Sequence, residues 1–401
     1  MTTTAHSAPT GTGAHGGEGV RVTLCRDPER FAALADAWDA LHARCPAATP
    51  FQTHAWLHSW WLSYGTPGRL RLLLAHRNGV LVGVVPLVLA RRPFPVLVPM
   101  GGRISDFFDI LVDPAHTAAV VPALARGLHR AARAALVDLR EVRPGAVAER
   151  LFVQWEGVRR YRRDSVCLEL PGVPIEDLLR RMPPTSAKRR RAKLRRIDAL
   201  GLEQREVASP EEVPAAVGRM LRLHGLQWEG RGVTPEHLHP RFAEHLSRAL
   251  TRMVGSGHAR ICEYRVDGAL MASDLTLLSA DLAGGYLDGV HPELRRKTDI
   301  TSMLLRESAR HAAATGRGTF SMLRGAEPYK LRWRPVEVVN RRLLMARREL
   351  RPVMALHSGL RSLREAAVRA VRHLEGARER WCERFVRHAR AVRIRPGGPE
   401  G

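Results

Sequence analysis

Lysine is nearly missing from this 401-residue chain: Lys188, Lys193, Lys297 and Lys330 are the only ones among 64 basic residues. Arginine therefore carries a net charge of +24. Together with the many alanines, this bias fits a GC-rich bacterial genome. A charge of this size favours anionic partners (phosphates, nucleic acid or acidic lipid) without choosing among them. Cysteine is sparse too. Cys25, Cys45, Cys167, Cys262 and Cys382 are odd in number and form no C-x-x-C pair, so neither a disulfide framework nor a zinc knuckle has support. No uncharged apolar run reaches the length of about 18 residues that would span a bilayer. Residues 1–18 lack a basic start and an apolar centre, so a secretory signal is not expected and a cytoplasmic protein is.

Familiar catalytic signatures are missing as well. Neither a P-loop nor a G-x-S-x-G elbow occurs. Residues 11–16 spell G-x-G-x-x-G, but no strand precedes them and no helix follows, so the nucleotide reading fails its context. His54 and His58 stand one helical turn apart without the glutamate of H-E-x-x-H, and no metal is expected there.

Apolar residues make up 45% of the chain, enough for packed cores. The length suits two domains plus tails. Residues 1–19 read as a disordered tail, being small and polar. In residues 20–164, helical patterns at 31–42 and 51–64 precede two apolar runs, 70–75 and 80–90, joined by Asn78-Gly79. That dipeptide is a strong hairpin signal. A short strand at 96–98, the segment Ser105-Asp106-Phe107-Phe108-Asp109, a helix at 118–136 and a strand at 139–142 follow.

The second unit, residues 165–346, opens with a strand at 167–170 and a helix at 175–181. Seven of the nine residues from 188 to 196 are basic. Residues 211–253 read as helical, with a break at Gly230-Arg231-Gly232, and contain His224, Trp228 and His237. Then come two apolar runs joined by Asp267-Gly268, a third run at 283–290, and a basic connector, Arg295-Arg296-Lys297. An amphipathic helix at 300–314 and a strand at 320–323 complete the unit. Aligning Gly79 with Gly268 pairs Arg71-Leu72-Leu73 with Arg260-Ile261-Cys262, which points to internal duplication. Residues 347–401 read as a basic amphipathic helical tail.

The order hairpin, strand, basic turn, helix, strand in residues 258–333 resembles the acyl-CoA-binding half of the GNAT acyltransferases. The ending Leu323, Gly325, Glu327, Tyr329, Lys330, Trp333 resembles the L-x-G-x-E-x-Y-K-x-x-W ending of the CelD-like branch, which is related to the Fem-type aminoacyltransferases. The basic run 188–196 resembles the basic segment of the same groups. The resemblance implies an α/β fold of tandem GNAT-like mixed sheets flanked by helices, over about residues 51–333. It also implies an enzyme, an acetyltransferase using acetyl-CoA as co-substrate without a metal. The acceptor would be an amine or hydroxyl, with envelope or exopolysaccharide precursors as one possibility.

Such a transfer needs no covalent nucleophile; the protein positions two substrates, accepts a proton and polarises a carbonyl. The catalytic candidates are Glu327, Tyr329, Asp288 and Asp274: carboxylates to take a proton and a phenol to protonate the leaving thiolate. Arg295, Arg296 and Lys297, with the hydroxyls of Thr298, Thr301 and Ser302, are the coenzyme-binding candidates beside a helix N-terminus. Substrate-binding candidates are Lys188, Arg191, Arg195, Trp228, Tyr286, Arg324 and Lys330. The loop departs from the GNAT pattern, since no glycine lies between Leu294 and Ala314 and Asp299 adds a negative charge. The same residues also suit structural roles: a capped turn, ion pairs anchoring the last strand, and a solvated basic face. Two other readings stay open: a tRNA-dependent Fem-type aminoacyltransferase, and a non-catalytic GNAT-like scaffold that meets a partner or acidic membrane through its basic segments.

Overall fold

The computed structural model describes residues 19–91, 93–229 and 234–364, with 366, 367 and 370. Its strands are β1 (Arg21–Cys25), β2 (Leu70–Arg77), β3 (Val80–Arg91), β4 (Pro95–Pro99), β5 (Leu111–Val112), β6 (Leu136–Val142) and β7 (Val158–Pro171). They continue with β8 (Glu203–Glu206), β9 (Ala259–Val266), β10 (Ala269–Leu278), β11 (Leu282–Val290), β12 (Thr319–Arg324) and β13 (Val336–Ala346).

Two tight turns set the register. Asn78 and Gly79 take φ of 50° and 79°, and Asp267 and Gly268 take 49° and 77°. Both pairs have the left-handed geometry that lets a two-residue loop follow the strand twist. They close β2 onto β3 and β9 onto β10.

All the strands join one mixed sheet in the order β1-β2-β3-β4-β6-β13-β7-β12-β11-β10-β9-β8, with β5 on β3. This order reads nearly the same from either end. Each half runs through an antiparallel hairpin to a parallel pair, β4 with β6 and β11 with β12. Each parallel pair is bridged by one long helix, Thr117–Ala131 in the first half and Ile300–Ala314 in the second. The halves then exchange strands. β7 pairs with β12 of the second half, while β13 lies between β6 and β7. The duplication expected from the two hairpins is thus expressed in the sheet order.

Side chains alternate across the sheet, as a period of two requires. Leu72, Leu74, Ile261, Leu275 and Leu287 face a core that includes helices His54–Tyr64, Val213–Trp228 and Pro240–Gly255. Ser59 Oγ donates to the His245 carbonyl at 2.8 Å, tying the first and third of these helices together. On the other face, Leu73 and Val85 pack with helix Thr117–Ala131. Cys262 and Tyr264 pack there with helices Ile300–Ala314 and Pro184–Asp198. Residues up to Arg347 form one compact unit, and those from Arg348 onward form another.

Several expected boundaries shift. The helix expected at 118–136 stops at Ala131, because Leu136 and Val137 leave it to pair with β4. The single helix expected at 31–42 is two, Pro28–Ala32 and Ala35–Ala43, the first capped by Asp27 on the Glu29 amide. Arg295-Arg296-Lys297 are not a bare connector but the last turn of a short helix, Pro292–Lys297. Residues 1–18, the break at 230–232 and most of the expected tail helix lie outside the described residues.

Candidate active site

β11 and β12 pair over only three positions: Leu282 with Thr319, Ala283 with Phe320, and Gly284 with Ser321. Beyond them the two strands part. β11 stays paired to β10, and β12 to β7. The far end of β11, where the strands have separated, carries Asp288.

Helix Val213–Trp228 presses against that end. A Cβ on Gly289 would stand 2.6 Å from the His224 nitrogen and closer still to the Met220 carbonyl oxygen, so only glycine fits there. This approach lets His224 and Gln227 reach Asp288. Gln227 Nε2 donates to Asp288 Oδ2 at 2.9 Å. His224 Nδ1 lies 2.6 Å from the Asp288 carbonyl oxygen, and His237 Nδ1 lies 3.1 Å from His224 Nε2. A carbonyl only accepts, so Nδ1 of His224 carries its proton. Burial, and then His224, push His237 down to about 4, so His237 is neutral at ordinary pH.

Asp274 stands opposite Asp288 in the β10–β11 register. It is buried, and its Oδ1 has no hydrogen-bond partner among the described residues. Burial raises it to about 7; Tyr264 and Arg260 oppose the shift, and Asp288 and Glu307 add to it.

From the β12 side comes the turn that carries Glu327, Tyr329 and Lys330. Its backbone is unusual, with φ of 55° at Leu323 and 106° at Gly325. The Glu327 carboxylate lies where a Gly325 side chain would begin. Lys330 bonds to Glu327 at 2.9 Å and donates to the Arg324 carbonyl at 2.9 Å, so its ammonium is committed to the turn. Tyr329 is 43% exposed. Burial, then Glu327 and Asp288, raise its hydroxyl, so it stays protonated through neutral pH. Tyr329 is therefore within electrostatic reach of both Glu327 and Asp288, with Asp274 opposite Asp288 in the sheet.

The remaining candidates divide into exposed and engaged groups. Tyr286 donates to the Ile104 carbonyl at 2.8 Å and packs against Phe51 and Trp56, so its hydroxyl is occupied. Arg324 is taken up by Asp106 at 2.7 Å, Glu141 at 3.1 Å and the Arg103 carbonyl at 2.7 Å. Trp228 lies beside His224, ring centroids 6.3 Å apart. On the basic helix Lys188 and Arg195 are exposed, while Arg191 bonds to Glu176 at 3.0 Å.

Among the coenzyme candidates, Arg296 and Lys297 are exposed. Lys297 pairs with Glu293 at 2.7 Å, and Arg295 donates to the Gln227 carbonyl at 3.4 Å. Thr301 is half-buried. Thr298 Oγ1 and Ser302 Oγ are buried without a partner among the described residues, Ser302 completely so. Asp299 caps the helix through the Ser302 amide at 3.3 Å and is held by Lys193 at 2.5 Å. The helix N-terminus is thus already met by a carboxylate, leaving the side chains of Arg295 and Arg296 as the groups that suit a pyrophosphate.

Sequence reasoning missed the network behind this turn. Asn340 Nδ2 lies 3.1 Å from the Asp106 carbonyl, 3.1 Å from Glu141 Oε2 and 3.2 Å from Ser165 Oγ. Glu141 sits at φ 57°, and Asn340 lies where the register of β13 with β7 shifts, two residues before the shift of β13 against β6 at Arg342. It also missed the roles of His224, Gln227 and His237. The tight Gly289 contact behind them has no sequence signal.

His54 and His58 stack on each other, and His54 Nε2 bonds to the Phe31 carbonyl at 2.9 Å, placing the pair in an aromatic core. No group of three or more His, Cys, Asp or Glu suited to a metal occurs among the described residues.

An antiparallel hairpin, a strand pair that splays, and a helix crossing between the splayed strands define a GNAT-type acyltransferase fold. Residues 186–331 match the family model described as Acetyltransferase (GNAT) domain. No curated protein gives a match. Among solved structures, FemX is similar at 13% identity, covering 80% of this chain and 98% of its own, with a TM-score of 0.56. A conserved protein of unknown function from Bacteroides thetaiotaomicron is similar at 12% identity, over 82% and 100%, with a TM-score of 0.55. L-PGS from Bacillus licheniformis is similar at 13% identity, over 84% and 97%, with a TM-score of 0.50. At these identities the likeness concerns the fold alone.

Proposed function

We propose that this protein is an acyltransferase of two GNAT-like halves, residues 20–164 and 165–346, moving an acetyl group from coenzyme A to an amine or hydroxyl acceptor. The observation that supports this reading is that Tyr329 lies within electrostatic reach of both Glu327 and Asp288, within the segment that matches the GNAT domain and where β11 and β12 part. Acyl-coenzyme A would supply an activated thioester carbonyl. Arg295, Arg296 and Lys297 would hold its phosphates. Tyr329, protonated at neutral pH, is suited to give a proton to the leaving sulfur. Asp288 or Glu327 is suited to take the acceptor's proton. Asp274 sets the charge behind Asp288, while His224 and Gln227 fix that end of β11. An envelope or exopolysaccharide precursor is the acceptor class we favour, in keeping with the resemblance to the CelD-like branch.

The tRNA-dependent reading has one observation of its own, the exposed Lys188 and Arg195 on helix Pro184–Asp198. A thiol-release assay with acetyl-CoA and a panel of amino sugars and polyamines separates the two. Acceptor-dependent thiol release supports the acetyltransferase. No release, with tight binding of charged tRNA that falls steeply as salt rises, transfers the site to the Fem-type reaction. Neither activity leaves a scaffold.

A further inference from the structure

The second compact unit opens with a turn of 3₁₀ helix, Arg348–Leu350, that continues as an α-helix through residues 351–364. Its two sides differ sharply. Met354, His357 and Ser358 are buried. On the other side Leu356, Leu360 and Leu363 are 53%, 43% and 69% exposed. Spacings of four and three residues put these leucines on one face, and Ala355 and Gly359 beside them are exposed too. Single exposed leucines are ordinary, but a contiguous stripe on a helix marks an interaction surface.

The charge around the stripe narrows the partner. Arg351 and Arg364, at its two ends, are both exposed. From residue 346 onward the sequence holds fourteen arginines against six glutamates. A second copy of the helix would bring like charges together along the seam, where paired helices ordinarily set opposite charges. A surface of anionic lipid meets both features: acyl chains take the leucines and headgroups take the guanidiniums. No described helix is long and apolar enough to cross a membrane, which fits lying in the interface rather than spanning it.

We propose that the helix at 351–364 is an interfacial docking element, seating the protein on an anionic lipid surface through Leu356, Leu360 and Leu363. The proposal is independent of the reaction catalysed in the first unit. It is tested by co-sedimenting the full-length chain with vesicles of phosphatidylcholine alone and of phosphatidylcholine with phosphatidylglycerol. Mixed vesicles should bind at least about tenfold more tightly, with binding weakened by salt. Leu360→Glu should lower that binding by about tenfold or more with an unchanged melting temperature, and the double variant Arg351→Gln/Arg364→Gln should lower it by a smaller factor. Three results would overturn the proposal. One is equal binding to both vesicle types, or none. Another is full binding by the leucine variant, which would make the contact purely electrostatic. The third is a concentration-dependent dimer that Leu360→Glu abolishes, which would give the stripe to a second copy. Should Leu360→Glu fail to fold, Leu363→Gln, at the most exposed of the three leucines, replaces it.

Discussion

Asp274 and Asp288 lie directly opposite each other on β10 and β11, one carboxylate sealed in the core and the other at the open end of the cleft. Burial, with Asp288 adding to it, holds the inner member protonated until about pH 7. Its ordinary value is 3.8, so the protonated form favours the folded state. That contribution is complete below the ordinary value and is lost as pH rises through about 7. The wild type should therefore lose stability between about pH 4 and 7, at a rate of up to roughly 1.4 kcal/mol per pH unit. Asp274→Asn should flatten that slope, read by chemical unfolding across the range. Identical slopes in the two proteins would remove Asp274 from this role.

Tyr329 is raised by burial and by Glu327 and Asp288, a setting that keeps a phenol protonated. Tyr329→Phe should lower kcat by roughly 10²-fold, the low end for a positioned proton donor, while coenzyme affinity holds. A fall in affinity with unchanged kcat would make the hydroxyl a binding group instead.

Arg324 answers Asp106 and Glu141 from the head of β12, with both carboxylates largely out of solvent. Removing the guanidinium leaves two buried charges facing each other. Arg324→Ala should cost about 2–3 kcal/mol in urea unfolding, below the range for a fully buried pair because Arg324 is about one-third exposed. Asp106→Asn should cost less, since Glu141 still answers the arginine. If Arg324→Ala left stability unchanged and lowered only acceptor affinity, the residue would belong to the substrate.

Gly289 has no room for a methyl group against helix Val213–Trp228. Gly289→Ala should destabilise by about 1–3 kcal/mol and displace His224 from Asp288. The variant should lose activity beyond what its folded fraction explains; full activity per folded molecule would show that the His224 contact is idle.

Local signals in the sequence were reliable. The helix at 300–314 was legible to the residue because Asp299 caps it and Gly316 ends it at φ 69°. Both hairpins followed from Asn-Gly and Asp-Gly. What could not be read is non-local. Asn340 meets Asp106 across 234 positions and Glu141 across 199, at irregularities in the strands that no periodicity announces. The insertion of β13 between β6 and β7 hides for the same reason, as both neighbours come from far earlier in the chain. Arg324 read as a substrate ligand because its motif is recognisable, whereas the two carboxylates that claim it lie about 180 and 220 residues away. His224 was visible only as a histidine in a helix, since the Gly289 contact that brings it to Asp288 depends on packing.

The most direct test of the central claim is calorimetric titration of acetyl-CoA into the full-length protein, with Arg296→Ala and Tyr329→Phe alongside. Micromolar binding that weakens by about tenfold in Arg296→Ala, as expected when a phosphate loses a charged partner, and is unchanged in Tyr329→Phe is the predicted result. Absence of binding at high protein concentration, or binding indifferent to Arg296, would contradict the acetyl-CoA site.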